Sequence, residues 1–320
     1  MNKKFFYLLS LCAVITLPFF TSCSDDDPTD EPVIPSEYIY VLNSGKWNGN
    51  NASLSMYNIK DSTVTQGVFE AQNGRRLGEL GQDMVVYGSK IYIAMYGEST
   101  IEITDLEAKS IKQIQTEGQP RCLAVYEGKV YVTYYNGYVA RLDTVSLEIE
   151  TKIQVGRNPE QLTVAGKKLY VANSGGLDAG SELGVDKTIS VIDIASFKEM
   201  EKIEVAINPT EIESDSYGNV YVVSMGNYGD VKNTLQKINT NTGEVSVIDN
   251  GTMITTTGNT LYSIFAQYGS SIINYYIYNV TNNTVLSDNF IGATKVSNPY
   301  KINFDMTYEH LFLTTSDYTN

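Results

Sequence analysis

A short strand-like phrase with an aromatic residue at its centre recurs seven times, and this repetition constrains the fold more than any other feature. Most of its flanking residues are valine, isoleucine or leucine. The aromatic residues are Tyr40, Tyr92, Tyr131, Tyr170, Tyr221, Tyr262 and Phe312. Their mean spacing is about 45 residues, within the range of ~40–50 residues that is typical of β-propeller blades. The repeat therefore predicts seven similar β-rich units.

Each unit is divided into four strand-like stretches by turn residues. In the third unit these stretches are 122–126, 130–133, 138–142 and 149–155, and Gly, Asp and Ser lie between them, as hairpin turns require. No long segment has a helical period, so helix should be scarce. The pattern predicts an all-β fold, a seven-bladed β-propeller with four-stranded antiparallel blades. A pair of β-sandwiches is the alternative, but it would not explain seven similar phrases.

The two ends of the repeat do not complete a regular ring. Tyr38–Leu42 reads as a second strand with no first strand before it. The sequence stops at Asn320, just after the second strand of the seventh unit. We therefore expect the last blade to be incomplete. Two explanations stay open: a sequence truncated by roughly 30 residues, judged from the blade length, or a ring that is open or completed by a partner.

The N-terminal residues predict export and a lipid anchor. Basic Lys3 and Lys4 precede an apolar run over 5–20, and Thr21-Ser22-Cys23 follows, which resembles a bacterial lipobox. We expect a signal peptide over 1–22, lipidation of Cys23, an acidic proline-containing tether over 23–37 and a propeller domain over 38–320. The acidic run Ser24-Asp25-Asp26-Asp27 resembles the surface-export signal of Bacteroidetes lipoproteins, which implies a location in the outer membrane, exposed at the cell surface. A plain secretory signal and a merely solvated acidic linker are the alternatives.

Charge and residue types exclude several classes of function. The formal net charge of −14 at pH 7 argues against nucleic acid and anionic lipid as partners, so the membrane is contacted only through the anchor. Cys122 is the one cysteine left in the domain, and we expect a structural thiol. There is one histidine, His310, whereas a histidine-based metal site or a Ser-His-Asp triad needs a wider set of residues than this sequence pattern offers. We predict no catalytic residues, metal or cofactor and no enzyme, with a carboxylate-based hydrolase or lactonase as an alternative.

Strand parity places one set of loops on a single face of the predicted ring. These are the loops after each second strand and before each first strand, and they mix aromatic, amide and charged residues. The predicted ligand-binding residues are Asn43, Trp47, Asn48, Tyr96, Arg121, Tyr134, Tyr135, Arg157, Asn173, Asn227, Tyr228, Tyr268, Tyr300, Asp317 and Tyr318. Rigid aromatics with amides suit a bulky neutral ligand with apolar faces and polar edges. Surface decoration is the alternative for the loop tyrosines.

The repeats resemble the YncE-like propeller group of bacterial surface proteins. The stretch 38–45, Asn298-Pro299-Tyr300 and the stretch 315–318 are similar to a Bacteroidetes lipoprotein family. That family includes the cobalamin-binding BtuG-type propellers, which cap the outer-membrane vitamin B12 transporter. The resemblance implies a non-enzymatic capture protein that passes cobalamin or another corrinoid to a TonB-dependent transporter, and that is otherwise monomeric. The residues leave open a glycan or protein partner at the same face.

Overall fold

The computed structural model describes residues 37–266, 272–294, 296–305 and 309–316. The predicted signal peptide, the lipidation site Cys23 and almost all of the tether lie outside these residues, as do Tyr268, Asp317 and Tyr318. The described residues form seven antiparallel sheets. We call the first six blades 1 to 6, in chain order, and the last the terminal sheet.

The strand bounds follow the predicted units. Blade 1 contains β1 (Tyr38–Asn43), β2 (Ser53–Asn58) and β3 (Thr63–Thr65). Blade 2 contains β4 (Gly81–Tyr87), β5 (Lys90–Met95), β6 (Thr100–Asp105) and β7 (Ser110–Gln115). Blade 3 contains β8 (Pro120–Tyr126), β9 (Lys129–Tyr134), β10 (Tyr138–Asp143) and β11 (Ile149–Gln154). Blade 4 contains β12 (Pro159–Ala165), β13 (Lys168–Asn173), β14 (Thr188–Asp193) and β15 (Lys198–Glu204).

The second half of the chain continues the same order. Blade 5 contains β16 (Pro209–Ser214), β17 (Val220–Ser224), β18 (Thr234–Ile238) and β19 (Val245–Asp249). Blade 6 contains β20 (Met253–Thr257), β21 (Thr260–Ala266), β22 (Ile273–Asn279) and β23 (Thr284–Ser287). The terminal sheet contains β24 (Pro299–Asp305) and β25 (His310–Thr315). In every sheet the strands pair in sequence order, so each blade is a meander of hairpins.

Helix is scarce in the described part of the chain, as the sequence predicts. One α-helix, α1 (Val68–Asn73), packs against blade 1, and a 3₁₀ turn occupies Gly176–Asp178. No helix in these ranges has the length and apolar character needed to span a bilayer.

The sheets are arranged as a β-propeller. The first strands of successive sheets contact one another, from β4 through β8, β12, β16 and β20 to β24. These strands therefore surround a central channel, and the later strands of each blade lie progressively further out. The all-β propeller with four-stranded antiparallel blades is confirmed.

The predicted count of seven blades is wrong. The described residues form six blades of three or four strands, and the seventh unit supplies only the two strands of the terminal sheet. The last blade is incomplete, as predicted. The physical reason is that four strands need a full repeat of chain, whereas the seventh aromatic phrase lies in β25, the second strand of its unit.

The repeated aromatic residue joins each blade to the next one. Tyr92 packs among Leu123 and Val130 of blade 3, and Tyr131 packs among Leu162 and Leu169 of blade 4. The same relation holds for Tyr40, Tyr170, Tyr221 and Tyr262, each against the following sheet. Second strands are buried on both faces because blades cover them from both sides. The aromatic residue therefore recurs in the sequence because each blade makes the same contact with the next blade.

The first strands begin with a β-bulge next to proline or glycine. Register shifts occur between Pro120 and Leu123 and at the corresponding positions of blades 2, 4 and 5 and of the terminal sheet. A bulge leaves backbone groups outside the ladder, and side chains of neighbouring blades take some of them. Asp83 accepts from the Leu123 N–H at 2.8 Å, and Gln161 accepts from the Ile212 N–H at 2.9 Å. Polar side chains thus link inner strands around the channel.

Candidate functional site

The connections predicted to share one face do so. First-strand starts pair with second-strand ends, as in Pro120 with Tyr134 and Gly81 with Met95. The loops after second strands and before first strands therefore lie at the same end of the blades, which we call the upper face. Long connections there include 66–80, which contains α1, and 174–187. Predicted site residues on these loops can approach one another across blades.

Three aromatic rings and one guanidinium form a continuous group on the upper face. The ring centroids of Trp47 and Tyr96 are 6.5 Å apart, and those of Tyr96 and Tyr135 are 5.9 Å apart. The Cζ atom of Arg121 lies 5.7 Å from the Tyr96 ring and 4.9 Å from the Tyr135 ring. We call these four residues the aromatic cluster. It spans blades 1 to 3, and Trp47 is 66% exposed.

Arg121 is held in place by the blades on either side of it. Its Nε donates to Glu160 Oε2 at 2.8 Å, its Nη2 contacts the same oxygen, and its Nη1 donates to Gln82 Oε1. Burial opposes its charge, but the Glu160 carboxylate leaves the pKa of Arg121 raised above its ordinary value. Such a fork carries geometric specificity as well as energy. The guanidinium is therefore held in a fixed position against both tyrosine rings, which also contact each other.

Tyr135 separates the aromatic cluster from a neighbouring cleft. Burial, with the Glu160 charge, raises the pKa of Tyr135 to about 12, so its hydroxyl stays protonated at neutral pH. The cleft has a volume of about 250 Å³ and lies between blades 3 and 4. Its lining comprises Tyr135, Asn136, Gly137, Gln154, Val155, Gly156, Arg157, Asn158, Leu177 and Asp178. It opens onto the same face as the cluster.

Ionisable side chains from three blades and the terminal sheet line the channel beneath the cluster. Asp83, Cys122, Glu213 and Lys301 border a cavity of about 200 Å³. Lys301 Nζ lies 3.2 Å from Glu211 Oε1. Burial raises the pKa of the Cys122 thiol well above its ordinary value. Cys122 is therefore a thiol rather than a thiolate, which makes it a poor nucleophile.

Glu213 makes the stability of the domain depend on pH. Burial, with Glu211 and Asp83 nearby, raises its pKa from 4.5 to about 7, although Lys301 opposes the shift. The folded state therefore binds this proton more tightly than the unfolded state, and stability is lost as pH rises from about 4.5 to 7. Between pH 5 and pH 8, we expect the Glu213→Gln protein to lose roughly 1–3 kcal/mol less unfolding free energy than the wild type. Urea unfolding of both proteins at pH 5 and pH 8 measures it, and parallel pH profiles would contradict the assignment.

Several predicted site residues lie apart from the cluster. Tyr134 is 2% exposed and packs in the blade core, and Asn173 is fully buried, with its Nδ2 donating to Ser190 Oγ at 2.9 Å. These two side chains cannot meet a ligand on the upper face. Successive side chains of a strand point to opposite faces. Tyr135 therefore reaches the cleft, whereas its neighbour Tyr134 points into the blade core. Arg157 lines the cleft.

The remaining predicted residues mostly shape their own loops. Asn43 Nδ2 donates to Ser55 Oγ at 2.9 Å, and Asn227 Oδ1 accepts from the backbone of Gly229 and Val231. Asn48 has a left-handed backbone with φ 57° in the turn beside Trp47. Tyr228 and Tyr300 are 69% and 58% exposed on the upper face.

Gln82 and Glu160, the hydrogen-bond partners of Arg121, are not among the predicted ligand-binding residues. Gln82, Arg121 and Glu160 are each 39 residues apart. They therefore occupy equivalent positions in three consecutive blades, with a cation between an amide and a carboxylate. That periodic placement is a sequence signal for this contact. Among the residues that the structure describes, no group of three or more His, Cys, Asp or Glu side chains has an arrangement that could hold a metal ion.

Comparisons with other proteins identify a family and support the fold. A profile of a family described as a domain of unknown function (DUF5074) matches residues 37–318. A search of curated proteins finds no match. The WD40 β-propeller domain of Doa1 is similar in structure, with a TM-score of 0.62, 12% identity and coverage of 87% of this chain and 86% of that one.

Two further structures show the same likeness. The computationally designed Ika8 protein has a TM-score of 0.57 and 11% identity, with coverage of 82% of this chain and 78% of that one. Hydrazine synthase of Kuenenia stuttgartiensis has a TM-score of 0.55 and 16% identity, with coverage of 71% of this chain and 70% of that one. At these identities the likeness shows the propeller fold alone.

Proposed function

Since this chain belongs to the DUF5074 family, whose description assigns no activity, we propose that it captures a bulky uncharged ligand at the aromatic cluster. The proposed protein is non-enzymatic, anchored at the cell surface through Cys23, and monomeric apart from a TonB-dependent outer-membrane transporter. The proposed ligand is cobalamin or another corrinoid.

The observation that carries this proposal is the rigid cluster of Trp47, Tyr96, Tyr135 and Arg121. Each ring stands on a different connection of the propeller, and Arg121 is braced by Glu160 and Gln82. A preformed surface loses little conformational entropy when it binds. Aromatic rings supply contact area for an apolar face, and neighbouring amides supply hydrogen bonds. A corrin ring with its rim of amides has this combination of surfaces.

The resemblance to the cobalamin-binding lipoproteins supports the choice of ligand. The stretch 38–45 that carries part of it forms β1 and the start of the loop that presents Trp47. We also propose that the terminal sheet is the inner half of a seventh blade. Tyr262 packs against Ile302 and Leu311 of that sheet, in the same way as the other repeated aromatics pack against the next blade.

Calorimetry of the full chain with cyanocobalamin tests the proposal. We expect saturable heat for the wild type and at least a tenfold loss of affinity, about 1.4 kcal/mol, for Trp47→Ala and Tyr96→Ala. Tyr217→Ala is the matched control, because Tyr217 is 64% exposed in the β16–β17 turn, at the opposite face. It should bind like the wild type.

Two outcomes count against the proposal: the first would reject corrinoid capture, and the second would reject the aromatic cluster as its site. One is the absence of both heat and a thermal shift for the wild type at micromolar protein. The other is an equal loss of affinity in the Tyr217 variant, which would show that the cluster is not the contact. Retention on a glycan array without corrinoid binding would favour the alternative, in which exposed Trp47 stacks on a sugar ring. Turnover in a hydrolase and lactonase screen would overturn the non-enzymatic part.

A further inference from the structure

Building on the capture function proposed above, we propose that the cleft beside Tyr135 is a subsite for an uncharged amide arm of the captured ligand. It would admit a short primary amide and reject the corresponding carboxylate. The cleft would thereby set which derivatives of one ligand the protein accepts.

The cleft and the aromatic cluster share one wall. One side of Tyr135 meets Tyr96 and Arg121, whose Cζ atom is 4.9 Å from its ring centroid. Its hydroxyl lies against Gly176, where an added Cβ would come within 2.8 Å of the Tyr135 oxygen. A ligand whose body rests on the cluster therefore has the cleft directly at its edge. An arm of a few atoms is long enough to enter it.

The charges at the cleft select against an anion. Arg157 is the cation there, and it faces two carboxylates. Its Nη1 donates to Asp178 Oδ2, and its Nε lies 3.7 Å from Asp186 Oδ2. Another hydrogen of the same Nη1 reaches the Gly184 carbonyl at 3.0 Å. Asp178 therefore compensates the Arg157 charge within the cleft lining, and Asp186 lies against the same guanidinium outside that lining. Among the described residues that line the cleft, no unpaired cation is left to offset the cost of removing a carboxylate from water, and a neutral amide avoids that cost.

The remaining lining suits a neutral polar group on a short apolar stem. Val155 and the 70% exposed Leu177 supply apolar walls, and the amides of Asn136 and Gln154 border the same space. A primary amide offers one carbonyl acceptor and two N–H donors. The Arg157 guanidinium and these amides can satisfy both kinds of group. A volume of about 250 Å³ is ample for a three-carbon amide.

The floor of the cleft is preorganised by Asn158. Its Nδ2 donates to the Tyr135 carbonyl at 3.0 Å, and its Oδ1 accepts from the Leu177 N–H at 3.2 Å. It therefore fixes the distance between the wall that carries Tyr135 and the wall that carries Leu177. Asn158 itself is buried and has a left-handed backbone with φ 45°. The subsite thus exists before a ligand arrives.

Methyl NMR of the full chain with labelled leucine tests the subsite with fragment probes. Propionamide and propionate have the same shape and differ in charge. We expect propionamide to shift the Leu177 methyl signals, assigned with Leu177→Ala, at least fivefold more than propionate at equal concentration. Leu286 is the matched control, since it is 57% exposed on β23, and its methyl signals should not respond. Asp178→Asn should raise the response to propionate.

Three results would overturn the subsite: equal shifts from the two probes, a larger shift from propionate, or no shift of the Leu177 methyl signals at 100-millimolar probe, on the order of the weakest fragment affinities. Cyanocobalamin calorimetry on the same samples separates this proposal from the capture function. Selective propionamide shifts without corrinoid binding would reject the corrinoid and keep the subsite. Corrinoid binding without propionamide shifts would reject the subsite alone.

Discussion

Replacing Arg121 by alanine is expected to destabilise the domain by about 2–4 kcal/mol and to abolish ligand capture at the upper face. The change leaves the Glu160 carboxylate, which is 8% exposed, without its counter-ion. It also removes the guanidinium that lies against both the Tyr96 and the Tyr135 ring. Urea unfolding measures the first effect, and cyanocobalamin calorimetry below the unfolding transition measures the second.

A second variant separates the structural effect from the binding effect. Arg121→Met combined with Glu160→Gln removes both charges, so it should recover most of the lost stability, because no buried charge is left unpaired. It should still bind poorly, since the guanidinium that lies against the two tyrosine rings is gone. Arg121→Lys keeps the charge but loses the planar fork, and we expect intermediate values. Full affinity in the Met/Gln protein would show that Arg121 serves only the fold.

Replacing Arg75 by alanine is expected to cost about 2–4 kcal/mol in the free energy of unfolding and to lower Tm by several degrees. Arg75 Nη2 lies 2.8 Å from Oε1 of Glu102, whose side chain is fully buried. The neutral donors Ser110 and Gln113 would still contact that carboxylate, at 2.5 and 3.0 Å, but they would not compensate its charge. The guanidinium also covers the Phe69 ring of α1 at 4.8 Å. Calorimetric and urea unfolding measure the loss.

The adjacent arginine supplies the control. Arg76 donates to the Asn50 carbonyl at 3.1 Å on the exposed surface, so Arg76→Ala should change stability by less than about 0.5 kcal/mol. Adding Glu102→Gln to the Arg75 variant should restore stability by removing the unpaired charge. If the Arg75 and Arg76 variants unfold alike, the buried pair does not stabilise the blade.

The repeated aromatics show how far local pattern can predict this fold. Tyr92, Tyr131 and Tyr170 are recognisable as structural from the sequence, and each is 1% exposed or less. Their structural role can be predicted because each blade places the same residue type in the same contact with the next blade. The channel-facing bulges are harder to predict from the sequence, although a proline or glycine lies at each of their positions. The incomplete last unit was predictable from its phrases, but the count of seven blades was wrong, because two paired strands make a sheet without the four strands of a complete blade.

The candidate site was only partly predictable for a geometric reason. Tyr134 and Tyr135 are neighbours in sequence, yet one is a core residue and the other lines the cleft. Alternation predicts that they diverge, but the position of the turn decides which one faces outward. Asn173 is of a residue type that often binds ligands, but its side-chain amide donates hydrogen bonds to Thr188 and Ser190 instead.

The sequence by itself determined the all-β repeat, the scarcity of helix and the face on which the loops gather, because periodicity and turn chemistry act over short stretches of chain. The spacing of Gln82, Arg121 and Glu160 is visible in the sequence, but only the tertiary structure shows that their side chains come within hydrogen-bond distance across three blades. The tertiary structure also decided that Trp47, Tyr96 and Tyr135 approach within ring-contact distance. Those contacts depend on how neighbouring blades are set against one another, and the packing of their buried faces fixes that relation.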